Sequence, residues 1–99
     1  MYTPTKEIEG ALDIIKHSNF FKNYGMSGRI LCGSSTYTYP IEHWVERKEI
    51  VVHTERGGGR DFRGIKQSAK AMLKSLAERL PIKDWYFARD NYQLRIYYN

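Results

Sequence analysis

A glycine-rich segment flanked by arginines is the part of the sequence that most suggests binding chemistry. It reads Arg56-Gly-Gly-Gly-Arg60-Asp-Phe-Arg63-Gly-Ile-Lys66 and leads into a predicted amphipathic helix. Glycine lets backbone N–H groups turn towards a ligand, and a helix N-terminus carries partial positive charge. Because three arginines add full charge at the same place, the segment predicts a site for an anion, most often a phosphate.

This segment does not match the established phosphate-binding motifs. A P-loop would end in Gly-Lys-Ser/Thr, whereas Gly64 is followed by Ile65-Lys66. A dinucleotide-binding turn would need a βαβ unit around it. Glycine runs are also common in plain connectors. Whether the loop Gly57–Gly59 binds a ligand or only joins a strand to a helix stays open at this stage.

A row of lysines continues along the same predicted helix. Lys66, Lys70 and Lys74 recur every four residues and share one side of the helix, and Arg63 extends the row. From Lys66 to Lys74 the row spans on the order of 12 Å at 1.5 Å per residue. Such a row can contact about two phosphates. It is equally compatible with an ordinary solvated helix face.

The positive charge of the chain is unevenly distributed. The formal net charge is +5; residues 1–55 have six Lys/Arg against seven Asp/Glu, whereas residues 56–99 have ten against four. The excess therefore lies entirely after residue 55. This asymmetry is typical of proteins with an acidic partner, most often nucleic acid.

Tyrosine and arginine alternate in a predicted C-terminal hairpin. Strand alternation places Arg95 and Tyr97 on the face opposite Leu94 and Ile96, and Tyr92 precedes them. These residue types dominate protein-interface hot spots. Together with Tyr86 they could leave one face of the hairpin exposed, and aromatic rings interleaved with arginine also stack on unpaired bases. The alternative is that these side chains form core contacts or cross-strand pairs.

The sequence offers little for catalysis. His17, His43, His53 and Cys32 lack the spacing of metal ligands. Cys32 and His53 would form a nucleophile pair only if neighbouring strands brought them together, and a lone cysteine on a strand is far more often a small buried residue. We therefore expect no enzyme activity, no metal and no cofactor.

The apolar pattern predicts a single α+β domain over residues 1–99. A first helical segment begins at Thr3-Pro4 and ends at Gly25. The second helix has apolar residues at helical spacing from Ile65 to Leu80, and Pro81 ends it.

The remaining segments are predicted strands. The candidates before the second helix are residues 29–32, 36–39 and 49–54. Residues 40–46 fit a strand or a short helix, and we favour the strand. A hairpin over residues 84–98 follows the second helix. The order is α-β-β-(β)-α-β-β, with two helices packed on one face of a mostly antiparallel sheet.

This order is similar to that of double-stranded-RNA-binding domains over about residues 4–80. In that family a helix opens with lysines and then Ala-Lys, which Lys66-Gln-Ser-Ala69-Lys70 partly matches. The resemblance implies that Lys66 and Lys70 contact phosphates across a groove by shape. The chain departs from the family in its Met72-Leu73, in lacking the Gly-Pro-His loop, and in the additional hairpin.

We expect a cytoplasmic protein. The N-terminus lacks the pattern of a signal peptide, and no apolar stretch has the length needed to cross a bilayer. The lone Cys32 fits a reducing compartment.

Two functions are compatible with these features. One is a non-catalytic basic module that contacts nucleic-acid phosphates through the glycine loop and the lysine row, with candidate residues Arg56, Arg60, Arg63, Lys66, Lys70 and Lys74. The other is a small protein-binding inhibitor or adaptor, for example a phage-type blocker of a host defence complex such as an anti-CRISPR protein. It would act through Tyr92, Arg95 and Tyr97. The expected partner is accordingly nucleic acid or a nucleic-acid-associated protein complex.

Overall fold

The fold is an α+β arrangement of helices on an antiparallel sheet, seen in a computed structural model that describes residues 5–26, 40–55, 62–90 and 92–99. The helices and strands in these ranges are α1 (Lys6–Lys16), α2 (Asn19–Tyr24), β1 (Ile41–Trp44), β2 (Glu49–His53), α3 (Phe62–Leu76), β3 (Ile82–Ala88) and β4 (Gln93–Tyr98). The predicted fold class is confirmed. The strand candidates at 29–32 and 36–39 lie outside the described residues.

The first helical segment is two helices rather than one continuous helix. Thr5 caps α1, since its Oγ1 accepts from the backbone N–H of Ile8 at 3.3 Å. Ser18 has an extended backbone, and its Oγ accepts from the N–H of Phe21 at 3.1 Å. A serine side chain that satisfies a free N–H stabilises a new helix start. The chain therefore breaks at Ser18, and α2 then ends at Gly25 as expected.

The sheet has the strand order β1-β2-β4-β3, and all its pairings are antiparallel. Residues 41–44 form a strand, as favoured from the sequence. The hairpin supplies two of the four described strands, β3 and β4, and it joins the other two through the pairing of β4 with β2. Its turn contains Arg89 and Asp90 at φ 52° and 55°. Two consecutive residues with positive φ are typical of the tight turns that suit twisted strands.

All three helices pack on one face of this sheet. The strands contribute the buried residues Ile41, Ile50, Val52, Leu94 and Ile96 to the shared apolar core. The helices contribute Ile8, Ala11, Leu12, Ile15, Phe20, Ile65, Ala69, Met72, Leu73 and Leu76. Because side chains alternate along a strand, the intervening residues lie on the other face, which we call the far face. No helix in the described ranges is long and apolar enough to span a membrane.

One polar pair lies on the core side of the sheet. His43 is 7% exposed, and its Nε2 is 2.6 Å from the hydroxyl oxygen of Tyr98. Burial lowers the pKa of His43 from its ordinary value and raises the pKa of Tyr98. The pair is therefore satisfied as neutral groups beneath the helices.

Candidate functional site

The predicted basic row lies along one exposed side of α3. Arg63, Lys66, Lys70 and Lys74 are all exposed, whereas Ile65 and the other apolar residues of the helix are buried. From Arg63 to Lys74 the row covers about 16 Å at 1.5 Å per residue. The sequence of α3, Phe62–Leu76, contains no aspartate or glutamate. The exposed surface of this helix thus has a single sign of charge.

The two ends of the row relate differently to the helix dipole: Lys74 lies in the last turn of α3, where a cation is favourable, whereas Arg63 lies in the first. The first turn of α3 has no acidic residue, and Arg63 stands in it instead. A helix N-terminus carries partial positive charge, so a cation there is unfavourable. Within the described ranges, Arg63, Lys70 and Lys74 take part in no ion pair. Arg63, Lys70 and Lys74 therefore have positive charge that no carboxylate of the described residues neutralises.

The two flanks of α3 differ in what they face. Ser68, Ala71 and Ser75 line a groove of about 430 Å³ beside the junction of α1 and α2. At 100° per residue, Lys70 and Lys74 are rotated on average about 110°, nearly a third of a turn, from these small residues. The basic row consequently lies on the flank away from the groove and from the α1–α2 junction.

The far face of the sheet carries a second group of polar and aromatic residues. Glu42, Val51, Arg95 and Tyr86 are cross-strand partners in one row, and Trp44, Glu49 and Tyr97 form the next. The alternation predicted for the last strand agrees with this arrangement, because Leu94 and Ile96 are buried in the core. Arg95 and Tyr97 therefore have cross-strand neighbours on both β2 and β3.

Glu49 is a buried carboxylate at the centre of the far face. It is 1% exposed, and the Tyr97 hydroxyl donates to its Oε2 at 2.5 Å. The guanidinium groups of Arg95 and Arg47 lie 3.6 and 3.7 Å from its carboxylate oxygens. The hydrogen bond to Glu49 raises the pKa of Tyr97 well above its ordinary value. Burial lowers the pKa of Arg95, but the Tyr97 hydrogen bond and the charge of Glu49 outweigh it and raise that pKa.

Glu42 is a second carboxylate that fixes its neighbours. It is 8% exposed, and the indole Nε1 of Trp44 donates to its Oε1 at 2.9 Å. His53 Nε2 contacts its other oxygen. The guanidinium of Arg47 lies over the Trp44 ring, 5.0 Å from the centroid. Glu42 therefore fixes the orientation of the Trp44 indole, and the Arg47 guanidinium already lies over one face of that ring.

Tyrosines form a stacked pair at the opposite edge of the far face. The rings of Tyr86 and Tyr97 have centroids 5.9 Å apart and an interplanar angle of 17°. Their hydroxyl oxygens are 3.2 Å apart. Tyr86 is 44% exposed. The pair thus presents one ring to the surroundings and anchors the other on Glu49.

A hollow of about 190 Å³ lies between these edges. Its lining includes both carboxylates, Trp44, and the guanidinium groups of Arg47, Arg89 and Arg95. Arg95 donates two hydrogen bonds to Gln93 Oε1, at 3.0 and 3.2 Å. Arg89 is exposed and has no ion pair in the described part of the chain. The hollow therefore has one more guanidinium than carboxylate.

The structure brings together some of the predicted site residues and separates others. Arg56 and Arg60 lie outside the described residues, as does Cys32. Tyr92 is 50% exposed, and its side chain has no partner among the described residues. His43 and His53 point to opposite faces of the sheet. Within residues 5–26, 40–55, 62–90 and 92–99, no cluster of His, Cys, Asp and Glu could hold a metal ion.

The sequence singled out Tyr86, Arg95 and Tyr97 of the far face but not its other residues, Glu42, Trp44, Arg47, Glu49 and Arg89. One signal for them was present. Glu42 and Trp44 alternate with Ile41 and His43, which is typical of a strand with two differing faces. The pairing of β2 with β4 that completes the network has no local signal.

Comparison with known proteins finds no match among family models, curated proteins or solved structures. The partial similarity to double-stranded-RNA-binding domains therefore has no support from a family match. Two surfaces of the described residues have a geometry that favours a ligand: the basic row on α3 and the far face of the sheet.

Proposed function

We propose that this domain is a non-catalytic nucleic-acid-binding module in which the basic row of α3 contacts phosphate groups. One observation carries the proposal. The exposed side of α3 presents Arg63, Lys66, Lys70 and Lys74 without a single acidic residue in the helix, and a cation occupies its first turn. Arg63 opposes the helix dipole, and Arg63, Lys70 and Lys74 have no ion pair among the described residues, so this surface favours an external anion.

The chemistry of such a row suits a phosphate backbone. Each phosphate neutralised by lysine or arginine releases condensed counterions, so affinity depends steeply on salt and little on base sequence. Four cations spread over about 16 Å follow a backbone rather than surround one ion. Arg56 and Arg60 directly precede α3 in the sequence and belong to the same proposal.

A charge reversal on the row tests the proposal. We expect Lys70→Glu/Lys74→Glu to weaken binding to single-stranded and duplex DNA and RNA about tenfold or more at low salt, and about equally for all base sequences. Electrophoretic shifts at about 50 and 200 mM salt measure this. Both lysines are exposed, so the variant should melt close to the wild type.

The matched control is Lys16→Glu/Lys22→Glu. It makes the same change in net charge at exposed positions on α1 and α2, away from the basic row. Its binding should remain near that of the wild type. Equal losses in both variants would show that net charge alone is responsible. Unchanged binding in the Lys70/Lys74 variant, or no binding by the wild type at low salt, would contradict the proposal.

Exposed aromatic surface supports a second candidate, the protein-binding inhibitor or adaptor. Tyr92 and Tyr86 are 50% and 44% exposed, and tyrosine is a frequent interface anchor. Arg95 and Tyr97 would contribute only their outer edges, because both contact Glu49. Capture of a protein that survives nuclease treatment and is lost with Tyr92→Ala would favour this candidate. Loss of all partners on nuclease treatment would exclude it.

A further inference from the structure

Two aromatic side chains lie at opposite edges of the far face. Trp44 lies on β1 and Tyr86 on β3, and three strand spacings separate these edges, about 14 Å. Arg95, 27% exposed in its side chain, lies on β4 directly across from Tyr86. A guanidinium group thus lies between two rings that are further apart than any single base could bridge.

A buried carboxylate fixes the orientation of each of these two rings, directly for Trp44 and through Tyr97 for Tyr86. Glu42 bonds the indole of Trp44, and Glu49 bonds Tyr97, which stacks on Tyr86. Buried charge is rarely the most stable way to fill a protein interior. Here it fixes the orientation of rings at a surface. A ring fixed in advance loses little entropy when a ligand stacks on it.

The charge of the far-face hollow favours an anionic ligand. Hydrogen bonds and ion pairs already engage both carboxylates, whereas Arg89 at the rim has no ion pair in the described ranges. Arg89 also has a φ of 52°, a conformation that glycine or asparagine adopts more readily. The hollow thus offers an anion a guanidinium that no carboxylate of the described residues pairs with.

We infer that the far face binds unpaired nucleotides of single-stranded nucleic acid. One base stacks on Tyr86 and another on Trp44, where Arg47 now lies, and the intervening phosphate contacts Arg95 and Arg89. Duplex bases are already paired and stacked, so they do not reach such rings. The inference rests on the proposed function and adds to it a substrate class and a second contact surface.

Substitution of the exposed ring provides the main test. Fluorescence anisotropy would use labelled (dT)12, labelled (rU)12 and a labelled 12-base-pair DNA duplex as probes. We expect Tyr86→Leu to weaken binding of both single strands about tenfold or more, the loss typical of one base–aromatic stack. Tyr86→Phe keeps the ring and should bind like the wild type. Tyr92→Leu removes a similarly exposed tyrosine outside the network and should also bind normally.

Tryptophan fluorescence gives an independent readout. The chain has two tryptophans, Trp44 on the far face and Trp85 against the core. In the variant Trp85→Phe, Trp44 is the sole tryptophan, and we expect (dT)12 to quench its emission. Circular-dichroism melts of every variant would confirm that each is folded under the binding conditions.

The outcomes separate this inference from the proposed function. Selective loss of single-strand binding in Tyr86→Leu, with quenching of Trp44, supports the far-face inference, and loss of binding in Lys70→Glu/Lys74→Glu supports the proposed function. If Lys70→Glu/Lys74→Glu abolishes binding while Tyr86→Leu binds normally and Trp44 is not quenched, the basic row binds nucleic acid and the far-face inference is wrong. If the wild type binds none of the three probes at low salt, both are wrong.

Discussion

The Tyr97–Glu49 contact gives the sharpest test of how the far face is built. Tyr97→Phe removes one hydroxyl and leaves the ring in place. Glu49 would then keep only Arg95 and Arg47, whose guanidinium nitrogens are 3.6 and 3.7 Å away, beyond good hydrogen-bonding distance. Because Glu49 is 1% exposed, water cannot easily replace the lost donor.

The expected effect follows from the loss of one hydrogen bond to a buried charged group. Such bonds contribute about 1.5–3 kcal/mol to the free energy of unfolding. For a domain of this size, about 1 kcal/mol shifts the melting temperature by roughly 4–8 °C. We therefore expect Tyr97→Phe to melt about 6–24 °C below the wild type. Thermal and urea unfolding followed by circular dichroism would measure both quantities.

Tyr86→Phe is the matched control for this experiment. It removes the same hydroxyl–hydroxyl contact, 3.2 Å long, but leaves the bond between Tyr97 and Glu49 intact. Its effect on stability should stay within about 0.5 kcal/mol, as for most surface changes. A double-mutant cycle of Tyr97→Phe with Glu49→Gln should show strong coupling. Equal stability of Tyr97→Phe and Tyr86→Phe, or absence of coupling, would refute the reasoning.

Three further changes test the fold. Burial lowers the pKa of His43, so below about pH 6.5 the unfolded chain binds a proton that the folded chain does not. The free energy of unfolding should therefore fall by up to about 1.4 kcal/mol per pH unit until the pH reaches the folded-state pKa. Urea unfolding between neutral and acidic pH should give a flatter profile for His43→Gln, and parallel profiles would argue against this. Gly25→Ala should lower the melting temperature, because a Cβ there would lie 2.5 Å from the carbonyl oxygen of Phe21. In Gly10→Ala the new Cβ meets only the movable end of the Arg79 side chain, so that variant should be as stable as the wild type or more stable. Deletion of residues 84–99 should abolish cooperative melting, since it removes two strands and two fully buried side chains; a truncated chain that still melts cooperatively would show that the hairpin is dispensable.

The sequence predicted the parts of the fold that depend on local patterns. The apolar residues from Ile65 to Leu80 predicted α3, although the helix ends at Leu76 rather than at Pro81, and the β-branched run at 49–54 predicted β2. The break between α1 and α2 was missed because it depends on one serine hydroxyl. Ser18 stands in a segment whose apolar spacing continues on both sides, so periodicity alone favours a continuous helix.

The basic row and the far face differ in how far sequence could reveal them, and the reason is topological. A row of cations at i, i+4 needs only one helix to exist, so the four residues of α3 were identified from spacing alone. The far-face network needs β4 to pair with β2 as well as β3, since only that pairing sets Tyr97 beside Glu49. A non-local pairing has no signal in either strand.

That pairing also changes how Arg95 and Tyr97 act. On an isolated hairpin they would be freely available anchors, but beside Glu49 they become supports for more exposed groups. The outer contact then falls to Tyr86, stacked on Tyr97, and to Arg89 on the turn. A ligand on this face would therefore meet the ring of Tyr86 before that of Tyr97, which supports it from beneath. The functional reading of the far face thus depends on the strand order of the sheet, and binding by Tyr86 variants tests that reading more directly than substitution of Arg95 or Tyr97.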